Sequence, residues 1–365
     1  MDLRLFKFCF RASRTGTLIY ASVPKAGCTT VQLTLANAYA HAHQLKPLSN
    51  PHSPLKTEYF ILFKDPDREP LSALLDNRFL FSIVRNPYSR LLSAYLDKIQ
   101  GKTKEYDRFL RNHGLPAGTD VSFAMFVDLV SQETADEMDQ HWAPQHRIIA
   151  WDVFRYDYLG FQETFTEDLQ HCLSQGGISL AAIDSFLRHS QSASNKLANF
   201  YSEELRQRVH ATYRLDFELF GYSEDIADLQ PDREVSKAGM RREARVNPQY
   251  AELVASHDAA GRGDVKTAAL HLDRWLAVTP ADAVDGSDYR LAGQIYLKAH
   301  RFADAKAALE RVLREQPDNQ NALIGLARCA FKQGDNNAAA NYARTVLEKS
   351  PNSAPAARIL QRLRD

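Results

Sequence analysis

The chain has 365 residues, with 45 basic and 45 acidic side chains and a formal net charge of +0. That balance provides no global field to attract nucleic acid, and no polybasic tract marks a membrane surface. The length predicts about two domains with real cores, and four cysteines in so long a chain exclude a disulfide framework.

The opening, Met-Asp-Leu-Arg-Leu-Phe-Lys-Phe-Cys-Phe, is too short and too broken by charge for a signal or a transmembrane segment. A cytoplasmic protein is therefore expected. Cys9, Cys172 and Cys329 read as buried thiols, and no Cys/His spacing suggests a zinc site.

Residues 17–23, Thr-Leu-Ile-Tyr-Ala-Ser-Val, are apolar and rich in β-formers, which predicts a buried strand ended by Pro24. Residues 31–40 read as a helix, with Leu35 and Tyr39 one turn apart. The corner between them is Pro24-Lys25-Ala26-Gly27-Cys28-Thr29-Thr30. Gly27 lets backbone approach a ligand, and the amides at a helix start favour an anion. Lys25 adds a mobile cation, and Thr29 and Thr30 add hydroxyl donors. Cys28 is read as a packing residue. The Lys precedes the only Gly, so this is not a Walker A loop. An ordinary β-to-α turn remains open on these residues alone. His41 and His43, at the end of the helix, read as surface residues.

Residues 79–84, Phe-Leu-Phe-Ser-Ile-Val, predict a second buried strand. Asn86 suits an N-cap and Pro87 a first helical position. Leu92, Leu96 and Ile99 give the new helix an apolar stripe. Arg85 sits where open α/β sheets bind ligands, and an Arg fork with the nearby Ser93 hydroxyl suits a terminal phosphate. The alternative is that Arg85 pairs with a structural carboxylate and Ser93 faces water.

Both segments resemble the 5′-phosphosulfate and 3′-phosphate motifs of the carbohydrate sulfotransferases. The branch in question holds the chondroitin 4-O-/HNK-1-type enzymes and, more distantly, the heparan 2-O-sulfotransferases. The first motif matches at Pro24, Lys25, Gly27, Cys28 and Thr29. The second matches at Arg85, Pro87, Arg90, Leu91, Ser93, Ala94 and Tyr95. His141-Trp142-Ala143-Pro144-Gln145, Tyr156-Asp157-Tyr158-Leu159-Gly160 with Glu163-Thr164, and Tyr213 with Asp216-Phe217 and Phe220-Gly221-Tyr222 follow in the family's order.

The resemblance implies a P-loop-like α/β fold over residues 1–222, with a central parallel sheet flanked by helices. It implies transfer of a sulfuryl group from 3′-phosphoadenosine 5′-phosphosulfate (PAPS) to a saccharide or glycoconjugate hydroxyl. Residues 24–30 would hold the 5′-phosphosulfate, and Arg85 and Ser93 the 3′-phosphate. Lys25 suits developing charge on the leaving phosphate. PAPS carries a good leaving group, so no metal is implied. His52 lies where resembling enzymes place a catalytic His, with His141 as runner-up base. Trp142 is either a stacking face for a sugar or core. A bacterial-type enzyme without the animal enzymes' membrane anchor is expected.

Residues 223–246 are charged, with Asp225, Asp228, Asp232, Arg233, Glu234, Lys237, Arg241 and Arg242, and predict a linker. Beyond it, Gly263-Asp264 precedes Pro280, His300-Arg301 precedes Pro317, and Gly334-Asp335 precedes Pro351, with alanine-rich helical stretches between. The period of about 34 resembles tetratricopeptide repeats. It implies an all-α domain over 247–365, of about three repeats with a degraded first, offering a surface to a protein or peptide partner. A nucleotide kinase is disfavoured by the order of Lys and Gly. A scaffold with a relic first domain is disfavoured by the joint presence of Lys25, Arg85 and Ser93.

Overall fold

The computed structural model describes residues 9–50, 57–62, 68–135, 137–178, 197–240 and 243–364. Contacts divide the chain after Asn247, with Pro248–Asp365 forming its own compact unit. Among the described residues no helix is long and apolar enough to cross a membrane.

The first unit is built on a five-stranded sheet in the order β3-β1-β2-β4-β5, with β1 Phe10–Ser13, β2 Leu18–Ala21, β3 Phe60–Leu62, β4 Phe79–Val84 and β5 Tyr158–Phe161. β2, β4 and β5 are mutually parallel, which is the parallel core expected of the fold. β1 runs antiparallel to both β2 and β3 and makes the sheet mixed. β2 is buried throughout and β4 at all but its first residue, as expected of apolar strands covered on both faces. Tyr20 and Phe81 stack across the β2–β4 pair at 5.2 Å. On one face Val31 and Leu35 of the helix Cys28–Ala42, and Phe165 and Leu169 of the helix Phe165–Gln175, close over Leu18, Tyr20, Phe81 and Ile83. Each such fully buried side chain contributes on the order of 1.5–3 kcal/mol.

The parallel order has a direct consequence for function. Strands β2, β4 and β5 are neighbours, so their carboxyl ends emerge side by side. The segments that follow them are 22–27, Arg85–Asn86 and the short 3-10 turn Gln162–Thr164. Two motifs about sixty residues apart in sequence therefore converge.

The expected linker 223–246 is a correction. It folds onto the first unit and contains the helix Arg233–Met240. Arg233 pairs with the buried Asp168 at 2.8 Å, and Arg245 with Asp157 at 2.7 Å. Val246 bridges to Phe154. Two of the segment's arginines, Arg233 and Arg245, are thus counterions of carboxylates flanking β5.

The second unit contains the helix pairs Ala251–Gly261 with Val265–Val278, Gly286–Lys298 with Phe302–Glu315, and Gln320–Lys332 with Asn336–Lys349, then the helix Ala354–Arg362. The repeated Gly263, His300 and Gly334 all hold positive φ, at 85°, 60° and 81°. Asp264 and Asp335, one residue on, cap the following helices through Thr267 and Ala338 amides. The first pair is complete, with Trp275 buried and donating to the Gln249 carbonyl. Small residues permit close helix approach: a Cβ on Gly293 or Gly325 would meet Leu309 at 2.5 or 2.7 Å.

Candidate active site

The first loop leaves β2 through Ser22, Val23 and Pro24, all buried. It turns at Lys25 with φ 70° and again at Gly27 with φ 73°, and the helix starts at Cys28. A positive φ at Lys, where Gly would be unstrained, is the kind of local cost that folded chains retain at working sites. Gly27 is required twice. Its φ disfavours any side chain, and a Cβ there would meet Phe165 Cε2 at 2.3 Å and Gln162 Oε1 at 2.7 Å. That Gln162 oxygen is buried and has no hydrogen-bond partner among the described residues. The first amides of a helix have no intrahelical partner, this helix has no side-chain cap to take their place, and Thr29 in its first turn is exposed.

The second loop begins where Asn86 Oδ1 accepts from the amides of Tyr88, at 3.0 Å, and Ser89, capping the helix Pro87–Ala94. Arg85 is 6% exposed and bridges the two loops: Nε donates to Ser89 Oγ at 2.8 Å, and one Nη donates to the Lys25 carbonyl at 3.1 Å. Burial pulls the Arg85 pKa down, and nearby Glu163 opposes it; the guanidinium remains a cation. Arg90 clamps from the same helix. It donates to the carbonyls of Pro24 at 3.0 Å, Ala143 at 2.8 Å and Gln140 at 3.1 Å. Ser93 lies one turn on and is partly exposed.

After Ala94 the helix widens into a π-helical turn, Tyr95–Gln100. Such turns shift the following side chains around the axis and recur at functional sites. Here Asp97 reaches the first loop and pairs with Lys25 Nζ at 3.0 Å, and Lys98 pairs with the same carboxylate oxygen at 3.2 Å. His141 sits close by. Its Nδ1 is 2.5 Å from Asp139 Oδ1, and Asp139 also pairs with Arg108. Burial first, then the charges of Lys98, Lys25 and Arg90, push the His141 pKa down to about 3 against a smaller pull from Glu105. A positioned, neutral imidazole therefore stands within electrostatic reach of Lys25.

Residues 9–223, more than half of the 365, match the family described as the sulfotransferase family. The chain belongs to that family.

Residues 296–363 match the tetratricopeptide repeat family. The sulfotransferase region is 27% identical over 230 residues to carbohydrate sulfotransferase 11 of Danio rerio, covering 56% of this chain and 64% of that one. It is 28% identical to carbohydrate sulfotransferase 14 of Mus musculus, covering 56% and 57%, and 28% identical to carbohydrate sulfotransferase 8 of Homo sapiens, covering 58% and 55%. The chain thus spans less than two thirds of the length of these relatives. Among solved structures, a chain of the APC/C hetero-tetramer Cut9-Hcn1 shares 18% identity at a TM-score of 0.29, covering 54% of this chain and 35% of that one.

In this chain the first motif and Arg85 meet at the ends of β2 and β4, and Ser93 lies further along the helix that follows β4. His52 lies outside the described residues. Cys28 is half-buried at the helix start, while Cys9, Cys172 and Cys329 are buried. Trp142 is corrected to core. It is 2% exposed, donates Nε1 to Glu133 at 2.9 Å, and packs edge-on to Phe109 and Phe126. No face is left for a sugar.

The other motifs prove to be braces. Gln145 grips the Arg85 backbone through both amide atoms, at 2.9 and 2.8 Å. Asp216 caps Gln145 and His146, Tyr213 holds the Trp142 carbonyl, and Glu163 accepts from the Asn86 amide and Tyr222 hydroxyl. The sequence reading missed Arg90, Asp97 and Asp139 as parts of the site. Arg90 stood within a matched motif, whereas the π turn that delivers Asp97 had no sequence signal.

Proposed function

We propose that the sulfotransferase unit transfers a sulfuryl group from PAPS to a saccharide or glycoconjugate hydroxyl. The observation that carries this reading is the junction of the two loops: Arg85 donates to the carbonyl of Lys25, so the phosphosulfate-type and 3′-phosphate-type motifs form one surface. The chemistry of that surface fits the donor. Gly27 lets the loop turn tightly against Phe165 and Gln162, the helix that follows starts without a side-chain cap, and Lys25 and Arg85 supply positive charge on the two loops. Sequence similarity to carbohydrate sulfotransferases supports a saccharide acceptor.

PAPS would supply the group in flight: the bond from sulfur to the 5′-phosphate oxygen breaks as the acceptor oxygen bonds to sulfur, and the electron pair stays on the phosphate. Amides 27–30 and Thr29 and Thr30 would orient the phosphosulfate. Arg85 and Ser93 would hold the 3′-phosphate. Lys25 would neutralise charge at the 5′-phosphate oxygen. His141 would take the acceptor proton on Nε2 while Asp139 fixes its ring through Nδ1. An anion seated beside Lys25 offsets the cations that depress His141, which raises its basicity when it is needed. His52 is the competing base.

The test is incubation of the full chain with sulfur-labelled PAPS and a panel of lipid-linked and polymeric saccharides. Label transfer that stops in Lys25→Ala supports the reading. Binding of ATP with magnesium in place of the PAPS product, adenosine 3′,5′-bisphosphate (PAP), would overturn it.

A further inference from the structure

The ion pair between Lys25 and Asp97 has no role in that reaction scheme, yet it occupies the lysine of the first loop. Lys25 Nζ lies 3.0 Å from Asp97 Oδ2, and with the Lys25 side chain 19% and the Asp97 side chain 47% exposed, solvent reaches the pair. The π-helical turn is what delivers the carboxylate to this loop, within the same helical run that carries Ser93. Lys98 shares the carboxylate oxygen at 3.2 Å, so Asp97 keeps a counterion if Lys25 leaves. The two lysines hold the carboxyl below its usual range although burial acts the other way.

We propose that Asp97 is a positioning residue for the donor: it holds the Lys25 ammonium in the donor-free protein and yields it to the 5′-phosphate of the bound nucleotide, while Lys98 retains Asp97. The inference rests on the reading of the loop as a PAPS site. Asp97 acts through Lys25 and touches neither sulfur nor acceptor. Its carboxylate is a placeholder for the phosphate, so part of the intrinsic affinity for a 5′-phosphate is spent on displacing it.

The test compares the full chain with Asp97→Asn by calorimetric titration of PAP and of 3′-AMP, which lacks the 5′-phosphate. Asp97→Asn should bind PAP about 2- to 5-fold more tightly, as expected for release of one partly exposed ion pair, with 3′-AMP affinity unchanged. In a Lys25→Met background the same substitution should lose at least half of that gain, because the effect passes through Lys25. Asp97→Glu should restore wild-type affinity. Equal PAP affinity in wild type and Asp97→Asn overturns the inference alone, as does an equal gain in the Lys25→Met background or an equal gain for both ligands. A loss for both ligands marks a structural role and overturns it too. If wild type binds 3′-AMP but not PAP, or neither, the site reading itself falls and the inference with it.

Discussion

His141 shows how the environment sets chemistry at the scale of one residue. An imidazole ordinarily titrates near 6.5. Burial and the Lys98, Lys25 and Arg90 cations, opposed by Glu105, take this one down to about 3, so it is neutral near pH 7. A base with a lowered pKa loses activity only below that pKa. With His141 as base, turnover should stay flat as pH falls from 8 to 5; with His52 as base at an ordinary value, an acid limb should appear near 6.5. His141→Ala should reduce turnover by about 10²–10⁴-fold with PAP affinity nearly intact. A pH–rate series on wild type, His141→Ala and His52→Ala decides the matter. Near-normal turnover in His141→Ala together with a limb near 6.5 would assign the base to His52. At this scale the sequence was legible where a residue's type sufficed, as for the Asn86 cap. It was not legible for Trp142, because stacking face and core differ only in what lies around the ring.

Elements were read well where their pattern is local. The β4 run 79–84 appears as Phe79–Val84, and the Pro87 helix starts where Asn86 caps it. The π turn at Tyr95–Gln100 was invisible, because its residues satisfy an α-helical stripe equally well, with Ile99 buried in either form. Segment 223–246 was misread because charge alone does not distinguish a tether from a set of counterions; the answer lay in Asp157 and Asp168, far away in sequence. The repeat turns allow a direct prediction. His300 adopts φ 60° where its equivalents are glycine, and left-handed backbone costs a residue with a Cβ roughly 1–2 kcal/mol. Set against the extra unfolded-state freedom of glycine, His300→Gly should stabilise the repeats by about 0.5–1 kcal/mol. In urea the midpoint should rise with an unchanged slope, and Gly334→Ala should lower it. A lower midpoint for His300→Gly would show that the ring's contact with Phe302 outweighs the strain.

For the whole molecule the boundary of the first unit is Asn247 and not residue 222. A chain ending at Asn247 should fold and bind PAP. One ending at Tyr222 removes Arg233 and Arg245 and leaves the 2%-exposed Asp168 carboxylate without its cation, a loss of about 1–3 kcal/mol. Thermal melts should therefore place the shorter fragment several degrees lower; equal melting temperatures would mean that the 223–247 segment contributes nothing. Five ordered motifs made the sulfotransferase unit readable from the sequence, and several of their residues turn out to brace the sheet ends. The central claim is that loops 24–30 and 85–93 form one nucleotide site. Its most direct test is a calorimetric titration of the full chain and of Ser93→Ala with PAP and with adenosine 5′-phosphosulfate, which lacks the 3′-phosphate. The account predicts one PAP per chain, and a loss in Ser93→Ala of about 1.5–3 kcal/mol for PAP with no change for the second ligand. Absence of PAP binding to the wild-type chain, or an equal loss for both ligands, would contradict it.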